Sequence, residues 1–349
     1  MGRTMKAKIK PGYDNIRKPL KDIIPVDTPF TLFISPSQLC NFKCHFCSHS
    51  LSIEEKKKAG FVSIHQDFEV FKKIAEQSKE FPNKYKRILL TGLGEPLLNL
   101  KIVDMVRLLN EYEIAEKLEI FTNASLLTPE LSDGLIDAGL TRLRISVQGT
   151  NTEKYKKHCG INLDFEKFVD GIRYFYEKGR RKCSIYIKII EEELYGEDDK
   201  QKFFDIFGGI CDEIFVENLV RSQPMMGDYD AKIPLTRTFY GEIAQKRDVC
   251  PYIFYTLQTD SEGNCYPCPP LSLPLNFSLG NIFEQPLRKI WEGEKMRKLR
   301  LSHLKKDGSK CDICKKCTNY LCFTPEEDNL DNHAHAIIEK IKESNICQK

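Results

Sequence analysis

Three cysteines stand close together in the stretch LCNFKCHFCSHS, residues 39 to 50. Cys40, Cys44 and Cys47 follow the spacing C-x3-C-x2-C. Structural zinc uses four ligands, commonly as two C-x2-C pairs, so three thiols from one short loop leave a coordination position open. A four-iron cluster bound by three thiolates would likewise have one open iron. Because open positions are typical of catalytic metal sites, the loop predicts a reactive centre that binds a small exchangeable ligand.

A second set of cysteines lies in the last third of the chain. Cys250 and Cys268 flank a predicted hairpin with its turn at 260–264, and a hairpin brings its two ends together, so both thiolates can face one metal. The tract KCDICKKCTNYLC follows, and its paired spacing suits either zinc or iron–sulfur. Its cysteines are Cys311, Cys314, Cys317 and Cys322. Four others stand apart and are expected to be small buried hydrophobes: Cys159, Cys183, Cys211 and Cys347.

The elements that position the first loop are predicted from an alternation of β-rich runs and amphipathic stretches. The predicted strands are 31–35, 87–92, 118–123, 142–149, 184–190 and 213–219. The helical stretches between them have Ser63, Thr128 and Asp164 as predicted N-caps. Six β/α units imply parallel strands and right-handed crossovers, too few for a complete eight-stranded barrel. The predicted fold class is α/β, a partial (β/α)6 TIM-like barrel, with the first cysteine loop at the carboxyl edge of its first strand.

Polar residues at the other strand edges are candidate ligand contacts. The second strand ends in LLTGLGEPLLN, which places Gly94 and Glu95 at the edge, although a plain Gly-Pro turn is the alternative. Asn123 and Ser146 end the third and fourth strands, where each could instead cap the following helix. Two charges fall inside apolar strands, so each must be paired, face the site or lie on a surface edge: Lys188 and Glu217.

Length and composition set the limits of these expectations. The chain has 349 residues, 41% of them hydrophobic, and a formal net charge of +3. That small bias gives no argument for nucleic acid or a membrane surface, and no apolar run is long enough to span a bilayer. No secretory signal is evident, so a cytoplasmic location is expected. The predicted domains are an N-terminal extension (1–30), the barrel (31–222) and a cysteine-rich domain with a C-terminal helix (223–349).

The first loop and the Gly-Glu-Pro segment resemble those of the radical SAM superfamily. In that family three cysteines hold a [4Fe-4S] cluster whose free iron binds S-adenosylmethionine, and reduction yields a 5′-deoxyadenosyl radical that abstracts hydrogen from a substrate. The resemblance implies that Phe46 lies near the adenine and that Glu95 contacts the methionine amino group. It also implies ribose or carboxylate contacts from Asn123 and Ser146, and a one-electron donor such as flavodoxin or ferredoxin. Leu93 departs from the pattern, since many members have glycine there.

The C-terminal cysteines resemble the SPASM or twitch extension of radical SAM enzymes. Cys250, Gly263 and Cys268 match its C-x(9–15)-G-x4-C pattern. The later spacing, C-x2-C-x2-C-x4-C, differs from that of a full SPASM domain, which binds two clusters. The resemblance therefore implies one auxiliary [4Fe-4S] cluster, held by Cys250, Cys268 and two of a set of three: Cys311, Cys314 and Cys317.

The family resemblance leaves the substrate open. A small or carbohydrate substrate is expected, because only about 30 residues precede the barrel, too few for a separate peptide-recognition domain. The alternatives are a peptide-modifying radical SAM maturase and, from another class, a zinc-ribbon nucleic-acid binder. The auxiliary cluster could accept an electron in an oxidation, whereas a thiol could return a hydrogen atom in an epimerisation. The candidate hydrogen donors are Cys265 and Cys322.

Overall fold

The computed structural model describes residues 5–13, 17–58, 63–221, 233–234, 236–270, 273–306, 310–323 and 325–346. Its strands are β1 (Lys8–Ile9), β2 (Thr31–Ile34), β3 (Arg87–Leu90), β4 (Leu118–Thr122), β5 (Arg142–Ser146), β6 (Ser184–Ile190), β7 (Glu213–Glu217), β8 (Thr256–Thr259), β9 (Asn264–Tyr266) and β10 (Gly280–Asn281).

The helices are α1 (Leu20–Ile23), α2 (Ile53–Lys58), α3 (Phe68–Ser78), α4 (Ile102–Glu111), α5 (Pro129–Asp137), α6 (Thr152–Cys159), α7 (Phe165–Gly179), α8 (Glu197–Phe207), α9 (Leu287–Glu292), α10 (Glu294–Leu304), α11 (Asp312–Lys316) and α12 (Ala334–Ile346). None of the described helices is both long enough and apolar enough to cross a bilayer.

The six predicted barrel strands are confirmed as β2 to β7, all parallel and in chain order across the sheet. The sheet is wider than six strands because both edges of the barrel are paired. β1 adds parallel to β7 on one side, and β8 adds parallel to β2 on the other, followed by the antiparallel strands β9 and β10. An unpaired edge exposes a row of backbone donors and acceptors. The added strands satisfy these groups on the two edge strands of the barrel, β2 and β7.

Local sequence signals explain where the helices begin. Thr128 and Asp164 cap α5 and α7 as predicted, each accepting a hydrogen bond from a backbone N–H three residues on. The predicted cap Ser63 is wrong: α3 begins after Asp67, whose side chain accepts from the backbone N–H of Glu69. The apolar pattern continued upstream of the helix, but the first backbone donors are satisfied by the later carboxylate.

The face of the sheet that packs against the helices is apolar, and the face that lines the barrel lumen carries polar and charged side chains. Alternate strand residues such as Ile34, Leu90 and Ile145 are buried in the main core between the sheet and its helices. The residues of the opposite face point into the lumen and include charged side chains such as Glu119 and Arg144. The two-residue period of a strand produces this division.

The N-terminal segment contacts both the barrel and the C-terminal domain. β1 extends the barrel sheet, while Leu20 of α1 and Ile24 pack in a second apolar core with Val249, Leu304 and other residues of the C-terminal domain. Arg17 also donates two hydrogen bonds, of 2.6 and 2.5 Å, to the carboxylate of Asp328. The first residues therefore connect the two predicted domains.

Candidate functional site

The first cysteine loop follows β2 at the carboxyl edge of the barrel, as predicted. The backbone N–H of Lys43 donates to the carbonyl of Cys159 at 2.9 Å, which fixes the loop against the end of α6. Cys44 is buried, and its sulfur lies 3.7 Å from that of Cys159. The backbone N–H of Phe42 points to the sulfur of Cys40 at 3.4 Å. The expectation that Cys159 is a buried small side chain is confirmed, but its contact with Cys44 was not expected.

The pKa values of two loop thiols are raised by burial and by neighbouring groups. Burial raises the pKa of Cys40 to about 12, and the nearby charges of Glu95, Cys47 and Cys44 add to that rise. The pKa of Cys44 is also raised, first by its hydrogen bond with Cys159 and then by burial. A metal ligand must be a thiolate, so binding here has to release protons. Three thiols on one short loop have the ligand chemistry of triple ligation of an iron–sulfur cluster.

The Gly94–Glu95 segment binds directly to the backbone of the cysteine loop. The N–H of Gly94 donates to Ser37 at 3.1 Å, and that of Glu95 donates to Leu39 at 2.8 Å. A Cβ atom on Gly94 would lie 2.2 Å from the carbonyl oxygen of Leu39. Glycine is therefore needed for the close approach of two protein loops. The sequence analysis named Gly94 only as a candidate ligand contact, whereas this requirement for glycine comes from the neighbouring loop.

The carboxylate of Glu95 joins the second strand edge to the third. Oε1 accepts from the hydroxyl of Thr122 at 2.6 Å and from the N–H of Leu97 at 3.0 Å, and Oε2 accepts from the N–H of Asn123 at 2.7 Å. Burial raises the pKa of Glu95 to about 7, although these three donors oppose the rise. Two carboxylate oxygens offer about four acceptor positions, so Glu95 retains capacity for one further donor.

The other predicted edge residues lie around the same loop. The Asn123 amide donates to the side-chain oxygen of Asn41 in the cysteine loop at 2.9 Å. Ser146 ends β5 and is partly exposed, while Phe46 packs edge-on against His45 with ring centroids 5.2 Å apart. The sequence did not single out Asn41, although its place between two cysteines at a strand edge was a usable signal.

A buried carboxylate behind the loop was also missed. Glu193, which follows β6, has no exposed surface and lies 2.7 Å from Nε2 of His45. Its second oxygen contacts Nδ1 of His158 in α6. No sequence signal links these residues, because the glutamate is 148 positions from His45 and lies in the unremarkable run EEEL.

Two layers of charged pairs lie in the lumen below the strand edges. Lys188 faces inward and lies 2.5 Å from Glu217, whose other oxygen accepts from the hydroxyl of Tyr186 at 2.9 Å. Beneath this pair, Arg144 lies 3.2 Å from Glu119. Burial alone would raise the pKa of Glu119, but nearby arginines, chiefly Arg144, lower it below its ordinary value. Of the three placements left open for Lys188 and Glu217, the structure shows a pair inside the barrel.

The C-terminal cysteines converge as the hairpin predicted. The turn forms at Gly263, which has φ +81°, and brings β8 and β9 together. The pKa of Cys268 is raised first by burial and then by the charges of four other thiols: Cys250, Cys317, Cys314 and Cys311. Burial likewise raises the pKa of Cys250 to about 12. Five neighbouring thiols supply more than the four ligands that a cubane cluster needs.

A histidine completes the surroundings of this cysteine group. The backbone N–H of Cys250 points to Nδ1 of His303, in α10, at 3.3 Å. Burial lowers the pKa of His303 to about 4, and the charge of Lys310 adds to the effect. The imidazole is therefore neutral at physiological pH.

The remaining predicted cysteines occupy different surroundings. Cys265 is fully buried in the main apolar core, and its role as a hydrogen donor stays a prediction. Cys322 is also buried, and its thiol donates to the carbonyl of Arg221 at 3.3 Å, beyond the end of β7. Cys347 lies outside the described residues.

A parallel partial barrel with a three-thiol loop at its carboxyl edge, joined to a five-thiol group, defines an iron–sulfur enzyme. The sequence matches the family model "Radical SAM superfamily" over residues 34–197. It also matches the SPASM model, "Iron-sulfur cluster-binding domain", over residues 250–318. The chain belongs to the radical SAM superfamily and has a C-terminal SPASM domain. This assignment excludes the zinc-ribbon alternative.

The chain is similar in sequence to one protein and in fold to two solved structures. The chain is 25% identical over 300 residues to the "Tungsten-containing aldehyde ferredoxin oxidoreductase cofactor-modifying protein" of Pyrococcus furiosus, covering 76% of this chain and 81% of the relative. BtrN in complex with AdoMet and 2-DOIA has a TM-score of 0.52 and 21% identity, with coverage of 83% and 93%. SuiB of Streptococcus suis bound to precursor peptide SuiA has a TM-score of 0.55 and 17% identity, with coverage of 88% and 77%.

The cofactors of the chain follow from its two families. They are a [4Fe-4S] cluster that binds S-adenosylmethionine, and auxiliary iron–sulfur ligation in the SPASM domain. The chemistry of the donors fits both groups, because each family region contains several thiols whose charges act on one another. In the described residues, however, no three His, Cys, Asp or Glu side chains already converge as a metal site. Fold alone does not name the substrate.

Proposed function

We propose that Cys40, Cys44 and Cys47 hold the [4Fe-4S] cluster that binds S-adenosylmethionine. The main support is one hydrogen-bond network that joins this loop to Gly94, Glu95 and Asn123 at the neighbouring strand edges. When bound, the cluster and S-adenosylmethionine supply the one-electron chemistry that yields a 5′-deoxyadenosyl radical. Glu95 has the free acceptor capacity to orient the methionine amino group.

Four of the five C-terminal thiols hold one auxiliary [4Fe-4S] cluster. Cys250 and Cys268 are brought together by the hairpin, and two of the tract cysteines complete the four ligands: Cys311, Cys314 and Cys317. The electrostatic contact of Cys268 with all of the others supports this set. Cys311 is exposed, whereas Cys314 and Cys317 are partly buried, so the latter two are the better candidates for the third and fourth ligands.

The substrate that fits the lumen is a small polar molecule, such as a carbohydrate or sugar derivative. The support is the Lys188–Glu217 pair, which places a charged donor and acceptors below the strand edges, over a floor formed by Arg144 and Glu119. Hydroxyl groups can exchange hydrogen bonds with such pairs. A peptide substrate is the second candidate, since one similar fold binds 2-DOIA and another binds a precursor peptide.

Oxidation fits the chain better than epimerisation. An oxidation needs a nearby electron acceptor, and the five-thiol group provides the ligands of one. An epimerisation needs a thiol that returns a hydrogen atom, but Cys265 is enclosed in the main core. Cys322 is the remaining candidate for that step. Reduced flavodoxin or ferredoxin is the expected source of the initiating electron.

The test is an anaerobic incubation of reconstituted protein with S-adenosylmethionine and dithionite. Sugar derivatives and peptides are compared by the amount of 5′-deoxyadenosine formed above the substrate-free background. A sugar derivative should stimulate its formation and lose two hydrogens without taking up deuterium from D2O. Deuterium at an inverted carbon would establish epimerisation, and stimulation by peptides alone would contradict the proposed substrate class.

A further inference from the structure

One buried nitrogen donor beside the five-thiol group has no acceptor among the described residues. His303 is 3% exposed, and its Nδ1 accepts from the N–H of Cys250 at 3.3 Å. In a neutral imidazole whose Nδ1 is an acceptor, the ring proton resides on Nε2. Nε2 of His303 is buried and has no hydrogen-bond partner in the part of the chain that the structure describes.

Buried polar atoms in folded proteins are nearly always hydrogen-bonded, so an orphaned donor indicates an acceptor that belongs there. The described surroundings do not supply one: Val249 and Leu304, the sequence neighbours of Cys250 and His303, belong to an apolar core. The charged group that acts on both Cys250 and His303 is Lys310, which is also a donor. Since both nitrogens belong to one small ring, Nε2 remains next to the cysteine group.

We propose that His303 donates a hydrogen bond from Nε2 to the auxiliary iron–sulfur cluster and raises its reduction potential. This inference rests on the proposed ligation of that cluster by Cys250 and Cys268. Sulfides and thiolates are the only acceptors that such a cluster offers, and each carries negative charge. A donor stabilises the more negative reduced form more than the oxidised form, so the potential rises.

The test uses full-length protein in which Cys40, Cys44 and Cys47 are replaced by Ala, so that the auxiliary cluster is the one being measured. Its midpoint potential is determined by a redox titration followed by electron paramagnetic resonance. His303→Asn keeps an acceptor for the N–H of Cys250 but has no donor at the Nε2 position, so its potential should fall. His303→Gln retains an amide N–H near that position, so its potential should stay closer to that of the parent.

The matched control removes an imidazole from a different helix, α12. His335→Asn changes an exposed residue of α12 and should leave the potential unchanged. Equal potentials in the parent, His303→Asn and His303→Gln would overturn the proposal. An equal fall in both His303 variants would also overturn it, because the contact with the Cys250 N–H would then be responsible.

The iron content of the parent and of His303→Asn separates failure of the auxiliary site from failure of the hydrogen bond. If the parent binds no iron at all, the proposed auxiliary site fails and the inference falls with it. If the parent binds iron but His303→Asn does not, pulsed magnetic resonance of the parent labelled with [15N]histidine decides. A nitrogen coupling to the reduced cluster supports the hydrogen bond, and the absence of that coupling overturns it.

Discussion

At the scale of single residues, Glu95 interacts both with two strand edges and with the cysteine loop. Its buried carboxylate holds the edges of β3 and β4 together through Thr122 and Asn123. Its charge also raises the pKa of Cys40 in the cysteine loop. A charge that is already fixed by three donors needs no reorganisation when a cationic ligand arrives, which is the advantage of a preorganised site.

Replacing Glu95 by Gln should weaken the binding of S-adenosylmethionine by about ten- to hundredfold, because a charge-assisted hydrogen bond contributes about 1.5–3 kcal/mol. Iron loading of the first loop should not change. Thr122→Val is the matched control: it removes one donor to Glu95 but keeps the carboxylate charge, so affinity should change by less than about threefold. Isothermal titration under anaerobic conditions measures both variants, and an unaltered affinity in Glu95→Gln would remove this residue from the ligand site.

The same residue predicts a pH dependence. Because burial raises the pKa of Glu95 to about 7, the carboxylate is mostly protonated at pH 6 and mostly ionised at pH 8. Only the ionised form offers a full charge to the methionine amino group, so affinity should rise about tenfold between these pH values. The slope should disappear in Glu95→Gln. A wild-type affinity that is flat from pH 6 to pH 8 would show that the ionisation of Glu95 is not linked to binding.

At the scale of elements, the site depends on the contact between the cysteine loop and the loop that follows β3. This contact is made of backbone hydrogen bonds and one close glycine approach, so it has little tolerance for added atoms. The spacing of the cysteines sets which thiols the cysteine loop presents. Its contact with the loop that follows β3 fixes the conformation of the cysteine loop.

Gly94→Ala should therefore abolish the first cluster while leaving the auxiliary one. A Cβ atom at this position would lie 2.2 Å from the Leu39 carbonyl oxygen, a backbone atom that cannot move without displacing the loop. Iron content should fall from about eight to about four per chain, since each cubane holds four. Gly134→Ala is the control, because its Cβ would meet only the Val103 side chain, at 3.2 Å. Full iron content in Gly94→Ala would refute the proposed role of this contact.

The strands and helix starts could be predicted from the sequence, but the contacts between distant elements could not. Runs such as SIYIKII predicted the strands because apolar, β-branched content is a local property, and Thr128 and Asp164 predicted two helix starts for the same reason. The pairing of β8 with β2 could not be predicted, because residues more than 200 positions apart form it. The charges of Lys188 and Glu217 were recognised as unusual, but their mutual contact depends on the register of two strands.

At the scale of the whole molecule, the barrel and the SPASM domain form one structural unit. One ten-stranded sheet runs through both, and the N-terminal segment contacts each of them. The indole N–H of Trp291, the single tryptophan, donates to the carbonyl of Val26 at 3.2 Å. The distance between the two sets of thiols is therefore fixed by the fold rather than by a linker.

Removing the Arg17 side chain should destabilise both parts together. Arg17→Met leaves the buried carboxylate of Asp328 without its cation, and the expected loss is about 2 kcal/mol, less than the ~3–5 kcal/mol for fully buried pairs because Arg17 is 23% exposed. Urea unfolding followed by Trp291 fluorescence and by far-ultraviolet circular dichroism should shift by the same amount. Arg107→Met, which breaks an exposed pair with Asp104, is the control. A shift in fluorescence alone would indicate two independent domains.

The most direct test of the two-centre account is the iron and acid-labile sulfide content of anaerobically reconstituted protein. The native chain should hold about eight irons, and two triple alanine variants should each hold about four: one at Cys40, Cys44 and Cys47, the other at Cys250, Cys268 and Cys314. Only the second variant should change its resonance spectrum on addition of S-adenosylmethionine. Cys347→Ala should keep about eight irons, because one auxiliary cluster does not use that thiol. About twelve irons in the native chain, or a loss of about four in Cys347→Ala, would contradict the account.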